Sequence, residues 1–128
     1  MYVRFVVDEI DEYSGVELGI FQAMYRLWRA GKLNASEEAW WAEVRAWFNL
    51  ELEKPERLAR SQRSGAEACA ISWFKASATE HIRRAREVVA LLAEHDVHGR
   101  MLRSQRPGYI VYEDDVQVTA EPFRPEHR

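Results

Sequence analysis

Residues 106–123, "RPGYIVYEDDVQVTAEPF", hold two runs of alternating β-formers punctuated by Pro107–Gly108 and Asp114–Asp115. β-Branched and aromatic residues suit a pleated, half-buried surface, and Gly, Pro and Asp supply its turns. A two-residue turn at Asp114–Asp115 predicts that Glu113 faces Val116, Val111 faces Val118 and Tyr109 faces Ala120 on one side of a hairpin. Ile110 with Thr119, and Tyr112 with Gln117, then face the other side. Upstream, 99–105 alternates as well, so a turn at Pro107–Gly108 extends the hairpin to a three-stranded meander. In it Leu102 and Ser104 lie with Val111, while Met101, Arg103 and Gln105 lie beside Ile110 and Tyr112. A slip of one residue would exchange the two faces.

The N-terminal run "YVRFVV" reads as a further strand, with Val3, Phe5 and Val7 on one face and Tyr2, Arg4 and Val6 on the other. Between these strands the period is helical. Ser14 and Glu17 form a capping-box pattern ahead of Ile20, Phe21, Met24, Leu27 and Trp28, with Gly31 as the stop. Asn34 and Glu37 repeat the box ahead of Trp40, Trp41, Val44, Trp47 and Phe48, and Pro55 ends that helix. Neighbouring residues are about 100° apart on a helix, so Trp40 and Trp41 cannot both occupy the centre of one stripe. Ser64 and Glu67 open a third pattern, Ala70, Phe74, Ala78, His81, Ile82, Ala85, Val88, Val89 and Leu92. A helix over 66–95 would be about 45 Å long, which exceeds the width of a compact domain and makes its first turns suspect. Loops are expected at 8–15, 31–35 and 53–65, and 122–128 as a flexible tail.

The expected fold is α+β. A small, mainly antiparallel sheet, made of the N-terminal strand and the C-terminal meander, is packed on one face by three helices within a single domain spanning 1–128. The helices would cover Val3, Phe5, Val7, Leu102, Val111, Val118 and Ala120. The opposite face would show Tyr2, Arg4, Val6, Met101, Arg103, Ile110, Tyr112, Gln117 and Thr119.

Composition narrows the function classes. With 128 residues, 47% of them hydrophobic and 30% charged, the chain can bury a real core and lies far from the composition of disordered proteins. The single cysteine, Cys69, leaves no internal disulfide and no zinc site on paired thiolates. No signal-peptide pattern or apolar span occurs, which makes a cytoplasmic location without membrane contact the expectation. The net charge of −3 is unevenly spread: residues 1–53 carry 5 Lys/Arg against 10 Asp/Glu, and residues 54–106 carry 11 against 6. The middle of the chain is therefore basic beside an acidic N-terminal part.

Catalytic signatures are weak. In "HDVH", His95 and His98 could supply two metal ligands, but histidine also suits a helix C-terminus, and His81 lies about 21 Å from His95 along a continuous helix. Cys69 sits among alanines on an apolar stripe, as core filler does. Adjacent carboxylates at Asp8/Glu9, Asp11/Glu12, Glu37/Glu38 and Asp114/Asp115 fit turns and helix starts as well as acid–base work. Neither a metal, a cofactor nor a catalytic residue is assigned.

Arginine is the stronger signal. Within 54–106 it outnumbers lysine nine to two, and its planar fork suits phosphates, carboxylates and aromatic rings. Aromatic residues, Met and Arg are also the types enriched at protein interfaces. The expected role is a regulatory or interaction protein that binds a protein partner, including a second copy of itself as a homodimer. The binding residues assigned to it are Arg4, Met101, Arg103, Ile110, Tyr112 and Gln117 on the open sheet face, with Arg57, Arg60 and Arg63 in the basic segment. Two alternatives stand beside it: a nucleic-acid binder using the same arginines and tyrosines, and a small enzyme or ligand-binding protein. The runs "ISWFKASATEHIRRAREVV" and "RPGYIVYEDDVQVTAEPF" resemble segments of small bacterial proteins of unknown function over about the last 60 residues. That resemblance implies a bacterial cytoplasmic protein and carries no activity, cofactor or site residue.

Overall fold

A computed structural model describes residues 1–12, 15–54 and 70–123. The fold is α+β, and the described residues form six strands and three helices in the order β1 (Tyr2–Ile10), β2 (Glu17–Gly19), α1 (Ile20–Arg29), α2 (Ala35–Glu51), β3 (Ile71–Lys75), α3 (Thr79–Glu94), β4 (Gly99–Ser104), β5 (Tyr109–Glu113) and β6 (Gln117–Glu121). No described helix is long and apolar enough to cross a membrane.

Local chemistry accounts for most element ends. The Asn34 side chain accepts from the Glu37 amide while the Glu37 carboxylate accepts from the Asn34 amide, so α2 starts on a complete capping box. Gly31, at φ +70°, follows the last turn of α1 in the left-handed conformation that stops a helix. Each helix buries one stripe: Ile20, Ala23 and Met24 on α1, Trp41, Val44 and Phe48 on α2, and His81, Ala85, Val88 and Leu92 on α3. Trp41 holds the centre of its stripe, and Trp40 lies half-buried at its edge.

Two expectations change. Residues 17–19 pair as a strand, so α1 begins at Ile20 behind Gly19 and not behind Ser14, which lies outside the described residues. The long third helix does not exist as one element: 71–75 is a strand, and the helix begins at Thr79. Ile71 and Phe74 are both buried although they point to opposite sheet faces, so the run lacks the alternation that marks a half-exposed strand. Ser64 and Glu67 lie outside the described residues.

All strand pairings are antiparallel, in the path β2-β1-β3-β6-β5 with β4 on the other edge of β1. The predicted meander is thus broken, because β4 pairs with the N-terminal strand and not with β5. The final hairpin also turns one residue later than expected. Asp114 accepts from the amides of Val116 and Gln117 through Oδ1, and its own amide donates to the Gln117 carbonyl. The turn therefore centres on Asp115–Val116, and Glu113 faces Val118 instead of Val116. A bulge between Ile110 and Tyr112 shifts the register again.

These shifts invert the predicted faces of the C-terminal strands. The helices pack on Val3, Phe5, Val7 and Phe74. Through the register, Met101, Arg103, Gln117, Thr119 and Tyr112 share that side, whereas Leu102, Val118, Ala120 and Ile110 share the other with Tyr2, Arg4 and Val6.

The helix-free side is not bare. Val6, Val118 and Ala120 are fully buried and Val111 nearly so, outside the cluster that the helices cover. Ser104 and Tyr109 lie on opposite edges of the sheet and at opposite ends of its ladder, since Ser104 faces Tyr2 while Tyr109 faces Glu121.

Candidate functional site

The site begins with a fork in the pairing of β1. One edge of β1 is occupied by β4 along Tyr2–Val7. On the other edge β3 pairs at Tyr2 and Val3, and β2 takes over at Val6. Arg4 and Phe5 fall in the gap, where β3 diverges from β1. A cleft of about 550 Å³ opens there, lined on the β1 side by Arg4 and Phe5, on the β3 side by Ile71, Ser72 and Trp73, and at the start of α1 by Ile20, Phe21 and Gln22. It continues into a wider groove of about 1340 Å³ between α1, α2 and the end of β1, with Asp11, Phe21, Gln22, Leu52, Ser72 and Gln117 common to both.

Arg4 is the cation at the narrow end. Its guanidinium donates to the Glu17 carbonyl at 2.8 Å, tying β1 to β2. Burial lowers its pKa, and the nearby charges of Glu17 and Asp11 oppose that shift. The Glu17 carboxylate itself is engaged by Arg100 at 3.2 Å. A Cβ built on Gly19 would stand 3.7 Å from the Arg4 guanidinium and 3.8 Å from the Gln22 side-chain oxygen, so these two polar groups flank the β2–α1 junction.

The opposite wall is a polar brace. The Gln117 side chain is buried and donates to the Glu53 carbonyl at 2.5 Å and to Asp114 Oδ2 at 3.1 Å. Tyr112 donates to the same carboxylate oxygen at 2.9 Å. Burial first, and then this bond, push the Tyr112 phenol up to about 12. Burial would raise the Asp114 carboxyl, but donation from Val116, Gln117 and Tyr112 outweighs it and holds the group below the usual range. Ser72 and Thr119 exchange a hydroxyl hydrogen bond at 2.9 Å between β3 and β6.

Among the described residues, those expected to form one binding patch fall in different places. Arg4 and Gln117 both line the cleft. Tyr112 supports Gln117 through Asp114. Ile110 faces Ala120 on the helix-free side. Met101 and Arg103 instead border a shallow groove beside α3, where Arg86 donates to the Met101 sulfur. Arg57, Arg60 and Arg63 lie outside the described residues. Sequence reasoning missed Phe21, Ser72 and Trp73 as cleft residues. The β-forming character of Ile71, Trp73 and Phe74 was the available signal for the latter two.

The remaining titratable clusters have structural partners. His81 donates from Nε2 to the Glu51 carbonyl at 2.7 Å and lies edge-on to Trp47. His95 is paired with Glu37. Glu80 engages both Arg83 and Arg84, and Arg83 also reaches Glu87. Among the described residues no three His, Cys, Asp or Glu side chains are grouped as metal ligands would be. No protein-family model, curated protein or solved structure matches the chain.

Proposed function

We propose that this protein is a ligand-binding protein whose seat is the fork between β1, β2 and β3. The observation that carries the reading is the change of partner along one edge of β1, which leaves Arg4 and Phe5 facing a cleft. Its volume, its mainly apolar walls and its few polar groups are those of small-molecule sites, which span about 300–1,000 Å³. The expected protein partner and self-association draw less support, since the described residues assigned to them are divided between the two faces of the sheet. Nucleic-acid binding would rest on Arg86 and Arg103 beside Met101. Its arginine supply is reduced because Arg83, Arg84 and Arg100 are engaged by carboxylates.

The test is a fragment screen of small aromatic and aliphatic molecules against isotope-labelled protein, followed by amide chemical shifts. Shifts should concentrate on Arg4, Phe21, Ser72 and Trp73. Ser72→Phe, a substitution at an exposed position on the cleft wall, should suppress them with the circular dichroism spectrum unchanged. Shifts centred on Arg86 and Arg103 with oligonucleotides, weakening steeply with salt, would replace this reading by the nucleic-acid one.

A further inference from the structure

We propose that the ligand of the fork is a small monocarboxylic acid, its apolar body between Phe5, Phe21 and Trp73 and its carboxylate on the Arg4 guanidinium. The proposal rests on the reading of the fork as a binding site and adds the chemical class of what enters it.

Three observations lead to it. First, Arg4 is desolvated but sparsely bonded. A guanidinium presents five N–H donors, and among the described residues Arg4 uses a single hydrogen bond, to a backbone carbonyl. Second, the carboxylate closest along the ladder is committed elsewhere. Glu17 turns its side chain to Arg100 and offers Arg4 only its main-chain oxygen. A ligand carboxylate can meet the remaining donors in pairs, the geometry in which arginine binds most specifically, and the interaction gains strength where water is excluded.

Third, the narrow cleft has room for one anionic group and not for several. Among the described residues Arg4 is its cation, and Asp11 lines the same cleft and offsets part of that charge. The outer groove carries both signs, Glu9, Glu12 and Glu53 beside Arg26, Arg45 and Lys54, with Arg26 paired to Glu9. A phosphate chain in the narrow cleft would set several negative charges against one guanidinium and beside Asp11. A monoanion sets one charge there and fills the rest of the cleft with hydrocarbon.

The experiment uses 3-phenylpropanoate and its uncharged amide, 3-phenylpropanamide, titrated into the full chain by calorimetry and by amide chemical shifts. At pH 7 the acid should bind the wild type at least about tenfold more tightly than the amide, a modest return for a charge-assisted hydrogen bond. Arg4→Met should erase that ratio by weakening the acid far more than the amide, and Arg4→Lys should keep part of it. The wild type supplies an independent arm: the ratio should collapse as the pH falls below the ligand's own carboxyl pKa, about 4–5. Equal binding of acid and amide at the cleft would overturn the carboxylate assignment and leave the site standing. A ratio that survives in Arg4→Met would overturn it too, by placing the anion on another cation. If neither probe moves cleft residues, the binding-site reading itself fails.

Discussion

The imidazole Nε2 of His95 stands 2.9 Å from Glu37 Oε2, clamping the residue that caps α3 onto the first turn of α2. The other Glu37 oxygen already accepts the Asn34 amide, so one carboxylate closes a helix start and joins two helices. The Asn34 amide foremost, and then His95, hold this carboxyl below its usual value of 4.5. A depressed folded-state pKa contributes stability that is present above the unfolded value and lost as pH falls through the folded one. Glu37→Gln should therefore be less stable than the wild type at neutral pH, with the deficit shrinking below about pH 4.5. Parallel melting-temperature profiles from pH 7 to pH 3 would show that the pairing adds nothing.

Gly108, at φ +151°, lies so close to β6 that an added Cβ would overlap the carbonyl of Glu121. The obstacle is backbone and cannot swing aside. Gly108→Ala should cost about 3 kcal/mol, combining overpacking with an unfavourable φ. Gly31→Ala meets nothing within 4 Å and should carry only the cost of a left-handed alanine, about 1 kcal/mol. Urea denaturation of the two variants separates contact from conformation, and equal losses would remove the steric account.

Asp96 follows α3 at φ +61°, where Val97 donates to the Leu92 carbonyl and Asp96 to that of Ala93. This is a Schellman ending built on a residue with a Cβ, and its carboxylate sits at the negative end of the helix dipole. Asp96→Gly should stabilise the protein by about 0.5–1 kcal/mol, a rise of about 2–6 °C in melting temperature. A fall would mean that Asp96 makes a favourable interaction outweighing its strain.

Tyr112 should titrate well above the ordinary range of a phenol. Its phenol is raised from 10.0 to about 12 by burial and by its bond to Asp114. The protonated form is favoured by folding, so this contribution is complete below about pH 10 and declines as pH climbs toward 12. Absorbance at the phenolate band should show a late step that Tyr112→Phe removes. A wild-type curve complete by about pH 11 would contradict the buried bond.

The parts of the fold legible in sequence were those written in short-range chemistry. The Asn34–Glu37 box, the Gly31 stop and the alternation of Tyr109–Glu113 need only neighbours to be understood, and each element formed where expected. The strand at 71–75 was hidden because Ala70, Phe74 and Ala78 share a four-residue spacing that imitates a helix stripe. The sheet faces were lost to a turn displaced by one residue, where Asp114 accepts the Val116 and Gln117 amides, and to a bulge between Ile110 and Tyr112.

The cleft was legible only at Arg4 and Gln117. Its other walls come from Phe21 and from 71–73, which meet because β1 changes partner between Val3 and Val6. A change of partner along one edge leaves no local mark, since the residues on either side of it are equally good β-formers.

The forked strand also dictates an order of events during synthesis. β1 emerges first, yet β3 and β4, which complete its ladder, end at Lys75 and Ser104. Such distant pairings slow folding, because the entropy of closing long loops precedes any reward. Until Ser104 has left the ribosome, the edge of Tyr2–Val7 that β4 will occupy stays open, which exposes this strand to aggregation and to chaperones.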